Sequence, residues 1–320
     1  MRVAAIDLGT NSTRLLVADV RDGTIADVER DSRVTRLGEG VDERRRLLPV
    51  PVTRVRNVLS DYRRTLESLG AERTLAIATS AIRDADNGEA FLGEVEWSYG
   101  FVTRLLSGHD EALLMFRGVN TERELRSGTV IVDVGGGSTE LVAAGPDGVR
   151  WHESLDIGSV RLTERYLSSD PPTDAELNAC AGAVRALLAE RVPDEIRDGA
   201  VAAVGVAGTI TSLAALALGL DEYDRARVHG FELSAEALEE QLRRLASVRL
   251  VERRRIRPLD PARAPVIVAG AVIVREVLAF FDVGVLEISE RDILDGAALA
   301  AAELPAREEG DAPPGAYTCC

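Results

Sequence analysis

A turn of small polar residues follows the first apolar segment of the chain, and its residue types suit phosphate binding. Asp7 ends the apolar segment, and the turn consists of Gly9, Thr10, Asn11 and Ser12. These residues offer backbone N–H groups with little steric bulk, together with hydroxyl and amide side chains. Because the same residue types also build ordinary hairpin turns, this segment alone leaves both interpretations open.

A second turn of this kind contains three consecutive glycines. Residues 133–140 read DVGGGSTE, in which Gly135, Gly136 and Gly137 precede Ser138. A simple turn needs one or two glycines, and each further glycine costs conformational entropy on folding. Close approach of the backbone to a ligand explains the excess, so the second turn is the stronger candidate for phosphate binding.

Carboxylates accompany both turns and suggest metal chemistry. Asp7 and Asp133 stand before the turns, and Glu140 follows the second one. If the two turns face each other, three hard oxygen ligands meet around a phosphate, which is what Mg²⁺ binding requires. We therefore expect Asp7, Asp133 and Glu140 to bind Mg²⁺, with the ion offsetting their mutual repulsion.

The two turns belong to an internal repeat that indicates how the chain is organised. Residues 4–18 (AAIDLGTNSTRLLVA) align without gaps with residues 130–144 (VIVDVGGGSTELVAA). Each copy consists of an apolar strand, a tight turn and a second apolar strand, which is the pattern of a β-hairpin. Two such hairpins, each opening one half of the molecule, predict a duplicated domain.

The remaining segments alternate between helical and strand patterns, as is typical of an α/β domain with a mixed sheet. The predicted helices are 52–69, 110–119, 159–166, 174–191, 210–218, 235–246, 265–281 and 291–302, and the further strands are 73–79, 101–105, 151–156, 200–206 and 283–288. A charged run at 121–127 predicts a boundary between domains 1–124 and 125–304. The segment 305–320 is rich in Pro, Gly and Glu and is predicted to be disordered.

Composition excludes several classes of function. The formal net charge is −15, whereas a nucleic-acid-binding protein needs a basic face. No lysine occurs in the sequence, which excludes a Walker-type phosphate loop and Schiff-base chemistry. No apolar run approaches the roughly 20 residues of a membrane span, and the three cysteines suggest neither a disulfide framework nor a zinc site. We therefore expect a cytoplasmic protein with no nucleic-acid or membrane partner.

A family resemblance becomes visible from these motifs together. The pair IDLGTNSTRLLV and VDVGGGSTEL resembles the two phosphate-binding motifs of the exopolyphosphatase and guanosine pentaphosphate phosphohydrolase family, in its short two-domain form. Further matches follow in order: ATSAIR at 78–83, SGHDEA at 107–112, LDIGSVRLTE at 155–164, VAGT at 206–209 and RAPVIVAG at 263–270. The resemblance implies an α/β fold of two actin-like (ribonuclease H-like) domains, with mixed sheets flanked by helices and a cleft between the domains.

The resemblance also implies roles for individual residues. Glu111 matches the acidic residue regarded as the catalytic base, although from the residues alone Asp110 and Glu111 are better explained as a pair that complements a helix dipole. Glu140 matches a position associated with both magnesium binding and water activation. Matches to further phosphate contacts are found at Arg83, Gly208 and Thr209.

The resulting expectation is a Mg²⁺-dependent phosphohydrolase. It would release terminal phosphate from inorganic polyphosphate or guanosine pentaphosphate by attack of base-activated water. One alternative is a sensor of the same fold that binds polyphosphate or guanosine tetraphosphate with little turnover. Another is a small-molecule kinase of the same superfamily, against which the segment 108–112 argues. The resemblance further suggests a homodimer.

Overall fold

The structure is a computed structural model that describes residues 1–305. The chain divides into two compact units, of which unit 2 is Arg123–Asp292. Unit 1 is formed by Met1–Glu122 together with the segment that begins at Ile293. The predicted second domain, 125–304, therefore differs from unit 2 at its end, because the last helix packs with the first half of the chain. The predicted disordered tail lies, apart from Pro305, outside the described residues.

Unit 1 is built on a five-stranded mixed sheet. Its elements before the boundary are β1 (Arg2–Leu8), β2 (Ser12–Arg21), β3 (Thr24–Val34), α1 (Val41–Arg44), α2 (Pro49–Leu69), β4 (Arg73–Ala78), α3 (Ser80–Arg83), α4 (Gly88–Tyr99), β5 (Val102–Leu105) and α5 (Gly108–Val119). The strand order is β3-β2-β1-β4-β5. In this sheet β1 pairs antiparallel with β2 and parallel with β4.

Unit 2 repeats this plan with a six-stranded sheet. Its elements are β6 (Thr129–Val134), β7 (Thr139–Gly145), β8 (Gly148–Leu155), α6 (Ser159–Tyr166), α7 (Asp174–Arg191), α8 (Asp194–Asp198), β9 (Ala202–Val206), α9 (Ala207–Ala217), α10 (Arg225–Val228), β10 (Glu232–Ser234), α11 (Ala235–Ala246), α12 (Leu250–Arg253), α13 (Ile267–Phe280) and β11 (Val285–Ile288). The strand order is β10-β11-β9-β6-β7-β8. The chain then returns to unit 1 as α14 (Ile293–Ala302), which packs against α5 and β1.

The central strands of the two sheets carry the predicted turns at their ends. From Val3 to Leu8, β1 is buried, and every residue of β6 is buried. Strands buried on both faces are continuous apolar runs, which is why both segments were recognisable in the sequence. Since open α/β sheets bind ligands beyond the carboxyl ends of their parallel strands, each turn lies where a ligand site is expected.

Helix α2 shows how the helices hold these strands. Pro49 occupies its first position, which proline favours, and Gly70 ends it with a left-handed φ of 69°, which glycine favours. Its buried face includes Val55, Leu59 and Tyr62, at the spacing of an amphipathic helix. The Tyr62 hydroxyl donates to the carbonyl of Thr13 at 3.0 Å, so the helix is anchored to the first hairpin.

Most predicted elements are present, with shifted ends. Both hairpins are confirmed, with Leu8 paired to Thr13 and Val134 paired to Thr139 at the turns. Strand β3 was not predicted, because its sequence TIADVERDSRV is charged and its side chains are largely exposed at a sheet edge, where strand propensity is a weak signal. Within residues 1–305, no helix combines the length and the apolar character that crossing a bilayer requires.

Candidate active site

The first turn closes the hairpin of β1 and β2 in a compact form. The N–H of Gly9 donates to the carbonyl of Ser12 at 3.0 Å. A Cβ at position 9 would lie 2.9 Å from that same carbonyl oxygen. This close approach requires glycine, so the turn has the conformation that its sequence predicted.

The carbonyl groups of the first turn are bound by the segment that follows β3. The carbonyl of Thr10 accepts from Gly38 N–H at 2.8 Å, and that of Asn11 accepts from Thr35 and Arg36 N–H at 3.0 and 2.8 Å. Both turn residues are buried. Among residues 1–305, no acceptor binds the N–H of Thr10 or Asn11. Successive N–H groups without an acceptor can donate to an anion.

Side chains fix the first turn against β4 and α3. The Thr10 and Ser80 hydroxyls lie 2.9 Å apart in a buried hydrogen bond. On the other side, Gly38 packs so closely that a Cβ there would lie 2.2 Å from Cγ2 of Thr10. The Oδ1 atom of Asn11 is buried without a hydrogen-bond partner in the described part of the chain.

The second turn has the same closure and a different support. The N–H of Gly135 donates to the carbonyl of Ser138 at 3.0 Å. The carbonyl of Gly135 accepts from Ser159 N–H at 2.9 Å, and the carbonyl of Gly136 accepts from Val160 N–H at 2.9 Å. The first amides of α6, which would otherwise lack partners, are therefore bound to this turn.

Arg161 and Gly158 complete that support. Nε of Arg161 donates to the carbonyl of Gly137 at 2.8 Å, and the side chain is buried. A Cβ at Gly158 would lie 2.3 Å from the carbonyl oxygen of Gly136, so only glycine allows α6 to approach. With all three glycine carbonyls bound, the N–H groups of Gly136 and Gly137 have no acceptor within residues 1–305.

The two hairpins differ in the charge that faces the aspartate across the ladder. In the first hairpin Asp7 pairs with Arg14, whose Nε and Nη2 both lie 2.8 Å from Oδ2 of Asp7. In the second hairpin Asp133 pairs with Glu140. The exposed fractions of Asp7, Asp133 and Glu140 are 6%, 7% and 5%. Directly opposite residues in an antiparallel ladder have Cβ atoms about 5 Å apart, so unit 2 holds two buried carboxylates side by side.

Ser154 supplies one hydrogen bond to this carboxylate pair. It lies opposite Glu140 on β8 and donates to Oε1 of Glu140 at 2.9 Å. In the described residues, no three His, Cys, Asp or Glu side chains are grouped as a metal site. The predicted set of Asp7, Asp133 and Glu140 thus stays a prediction, with two of its carboxylates supplied by one unit.

Glu111 and Arg83, predicted separately, form a buried ion pair in unit 1. Nη1 of Arg83 lies 2.5 Å from Oε1 of Glu111 and 2.9 Å from the carbonyl of Leu106. Glu111 is 3% exposed. Arg83 ends α3, which begins at Ser80 beside the first turn. The pair therefore lies at the same edge of the sheet as Asp7, and Arg83 is not an isolated surface arginine.

Asp110 has a different task from Glu111. It forms a capping box with Ser107 at the start of α5, in which the Ser107 N–H and hydroxyl donate to Oδ2 of Asp110 at 3.1 and 2.6 Å. The Ser107 hydroxyl is the main cause of a lowered pKa for Asp110. The capping box explains why an acidic residue stands at position 110. It does not explain the buried carboxylate of Glu111, which is not part of the box.

Gly208 and Thr209 lie where β9 runs into α9. Val206, the last residue of β9, pairs with Asp133 of β6, so this junction lies at the same sheet edge as the second turn. Ala207 has a left-handed φ of 64°, a conformation that costs energy for a residue with a Cβ and that is often found at functional sites. The pairing of β9 with β6 thus brings this motif to the sheet edge that carries the glycine turn.

Two residues beside these turns were missed from the sequence: Arg14 and Ser154. Arg14 could have been found, because the repeat aligns it with Glu140 and so shows a reversal of charge at equivalent positions. Ser154 bonds to Glu140 through a strand pairing that depends on register. The sequence contains no comparable signal for it.

Comparisons with known proteins agree with this architecture. Residues 16–302 match the model of the Ppx/GppA phosphatase family. Exopolyphosphatase 2 of Mycobacterium tuberculosis is 41% identical over 319 residues, which cover 94% of this chain and 98% of that protein. The guanosine-5'-triphosphate,3'-diphosphate pyrophosphatase of Vibrio atlanticus is 30% identical over 221 residues, which cover 68% of this chain and 44% of that protein.

A solved structure shows the same likeness in three dimensions. The crystal structure of the Aquifex aeolicus member of the Ppx/GppA family has a TM-score of 0.79 and 33% identity to this chain, and covers 95% of this chain and 97% of that one. This agreement confirms the predicted α/β fold class, with two units whose mixed sheets are flanked by helices.

Proposed function

We propose, from the premise that this chain belongs to the Ppx/GppA phosphatase family, that it hydrolyses the terminal phosphate of inorganic polyphosphate or guanosine pentaphosphate. Its relatives include a protein named as an exopolyphosphatase and one named as a guanosine-5'-triphosphate,3'-diphosphate pyrophosphatase. The observation that carries the proposal is the state of the two turns. In each turn, carbonyl groups bond to donors of the same unit, while two N–H groups (those of Thr10 and Asn11, and those of Gly136 and Gly137) have no acceptor within residues 1–305.

The phosphate-binding role is proposed for three segments. Amides and hydroxyls of the first turn (Gly9, Thr10, Asn11, Ser12) and the second turn (Gly135, Gly136, Gly137, Ser138) donate to phosphate oxygens, with Gly208 and Thr209 as a third contact. Successive backbone N–H groups form a concave site for anions without any lysine. Arg83 adds a guanidinium, which can donate two parallel hydrogen bonds to phosphate oxygens, whereas an ammonium group acts as a point charge.

The carboxylate pair of unit 2 fits a divalent cation. Asp133 and Glu140 are buried opposite each other, and like charges in this arrangement are destabilising unless a cation or further donors compensate. We assign Mg²⁺ to this pair; when bound, the ion would neutralise charge on the phosphate oxygens. Asp7 stays a predicted third ligand, and Arg14 competes with an ion for its Oδ2 atom.

Glu111 is the proposed general base. Its carboxylate accepts a proton from water as the water oxygen attacks the terminal phosphorus, and the phosphoanhydride bond breaks toward the remaining chain. In the free protein this carboxylate is bound to Arg83. A phosphate that draws the Arg83 guanidinium toward itself would leave Glu111 a stronger proton acceptor, so substrate binding and base activation are coupled.

The test follows phosphate release from both substrates with Mg²⁺. The Glu111→Gln variant is expected to lose about 10²–10⁴-fold in kcat, the range for removal of a general base. Asp110→Asn is the matched control, because it removes the neighbouring carboxylate that serves the helix cap, and it should keep most of the activity. Binding of both substrates without phosphate release from the unaltered protein would instead support the sensor function.

A further inference from the structure

An exposed aromatic ring lies next to the third phosphate segment of unit 2. Tyr223 belongs to the loop between α9 and α10, and 45% of it is exposed. Its hydroxyl donates to Oε1 of Glu290. Burial of the hydroxyl is the main cause of a raised pKa for Tyr223. Because the hydroxyl is bonded to Glu290 and forms a small part of the side-chain surface, most of the exposed area belongs to the ring.

The loop that carries this ring is held firmly. Asp224 caps α10 by accepting from the N–H groups of Ala226 and Arg227 at 3.0 and 3.3 Å. Arg225 donates from Nε to Oε2 of Glu290 at 3.1 Å and from Nη2 to the carbonyl of Glu290 at 2.9 Å. Tyr223 and Arg225 thus bind the two oxygens of one carboxylate. A ring fixed in this way loses little conformational entropy when a ligand packs on it.

The ring is close to the phosphate segment. Glu290, which the hydroxyl binds, follows Ser289, and the Ser289 N–H donates at 2.8 Å to the carbonyl of Gly205, three residues before Gly208. The guanidinium of Arg263 lies over Gly208, since a Cβ at that glycine would be 2.0 Å from Nη1 of Arg263. The surface therefore brings together a helix N-terminus, a guanidinium and an aromatic ring.

We propose that Tyr223 binds the base of a nucleoside polyphosphate whose phosphates lie at Gly208 and Thr209. This inference rests on the proposed function. It states that the site binds a nucleoside polyphosphate through a contact that inorganic polyphosphate cannot make. A nucleotide has a flat base that can stack on the ring, and inorganic polyphosphate has no such group. Stacking of a base on an aromatic ring contributes through area and polarisability and needs no specific hydrogen bond.

The experiment compares two ligands that differ only in the nucleoside. Guanosine 5'-tetraphosphate and inorganic tetrapolyphosphate are titrated calorimetrically with Mg²⁺ into the Glu111→Gln protein, so that binding is measured without turnover. Adding Tyr223→Leu should raise the Kd of the nucleotide about 10-fold, as loss of one stacked base does. The Kd of the inorganic chain should stay within about twofold, because no stacking is lost.

Tyr223→Phe separates the ring from its hydroxyl. This variant keeps the aromatic face and loses the bond to Glu290, so it should bind the nucleotide almost as tightly as the tyrosine protein. The proposal is overturned if Tyr223→Leu leaves the nucleotide Kd unchanged, if it weakens both ligands equally, or if Tyr223→Phe is as damaging as Tyr223→Leu. Phosphate release by the unaltered chain is measured separately. Its absence would remove the hydrolase proposal and leave the binding comparison intact.

Discussion

The two hairpins have the same backbone and opposite electrostatics. Each has a glycine turn at the end of a central buried strand, with bound carbonyls and two amides that have no acceptor in the described part of the chain. In the first hairpin an arginine faces the buried aspartate, and in the second a glutamate does. A duplicated element has thus kept its backbone conformation while the charges across its ladder diverged. The first hairpin places an arginine opposite its aspartate, and the second places a glutamate there.

The largest effect is expected from Arg14, because its loss leaves a buried carboxylate unpaired. Arg14→Ala should lower the free energy of unfolding by about 3 kcal/mol, the scale for breaking a buried ion pair from one side. Urea denaturation measures this. The double change Asp7→Asn with Arg14→Ala removes both charges and should recover much of the loss. If Arg14→Ala were as stable as the parent protein, the first hairpin would not depend on its internal counter-ion.

The second hairpin should show the opposite behaviour, with stability that depends on added cation. At a Mg²⁺ concentration 100 times its Kd, ligand linkage stabilises the native state by about 2.7 kcal/mol. Glu140→Gln should remove most of this gain and lower activity, while slightly stabilising the metal-free protein by relieving repulsion from Asp133. Thermal unfolding with Mg²⁺ and with chelator measures both effects.

Asp147→Asn is the control for that experiment. It removes one negative charge from the exposed turn between β7 and β8, at the end of β7 that is far from Glu140. The Mg²⁺-dependent shift in Tm should be unchanged by it. If Asp147→Asn and Glu140→Gln reduced the Mg²⁺-dependent shift in Tm equally, Mg²⁺ would act through the net charge of the protein. The second hairpin would then have no specific Mg²⁺ site.

A smaller effect is expected from the glycine that supports the second turn. Gly158→Ala places a Cβ 2.3 Å from the carbonyl of Gly136, so α6 must move away, at a cost of about 1–3 kcal/mol in unfolding free energy. Gly182→Ala lies inside α7, where a Cβ would come only within 4.0 Å of Nη2 of Arg185, and it should instead gain up to about 1 kcal/mol from helix propensity. Urea denaturation of both variants tests this, and equal stabilities would mean that the close approach of α6 is not required.

The sequence predicted the parts of the site that are local, and it missed those that depend on pairing across the sheet or between elements. Both turns, the junction at Gly208 and the buried central strands were predicted because a motif or an apolar run lies within a few residues. The pairing of Arg83 with Glu111 joins residues 28 positions apart and depends on how β4 and α5 are placed. Likewise, nothing in the sequence of α14 showed that it packs on β1.

The smallest effect concerns Asp110, the acidic neighbour of the proposed base. Its pKa is lowered in the folded state by the Ser107 hydroxyl, so its contribution to stability is fully present above the unfolded-state pKa of about 4 and is lost as the pH falls through the lower, folded-state value. Asp110→Asn should therefore reduce the stability difference between pH 6 and pH 3, measured by urea denaturation at each pH, while the proposed hydrolysis at neutral pH persists. Because the group is mostly exposed, the change is a small fraction of the total. An unchanged pH dependence together with loss of activity would reverse the two assignments, making Asp110 the functional acid and leaving Glu111 as the partner that fixes Arg83.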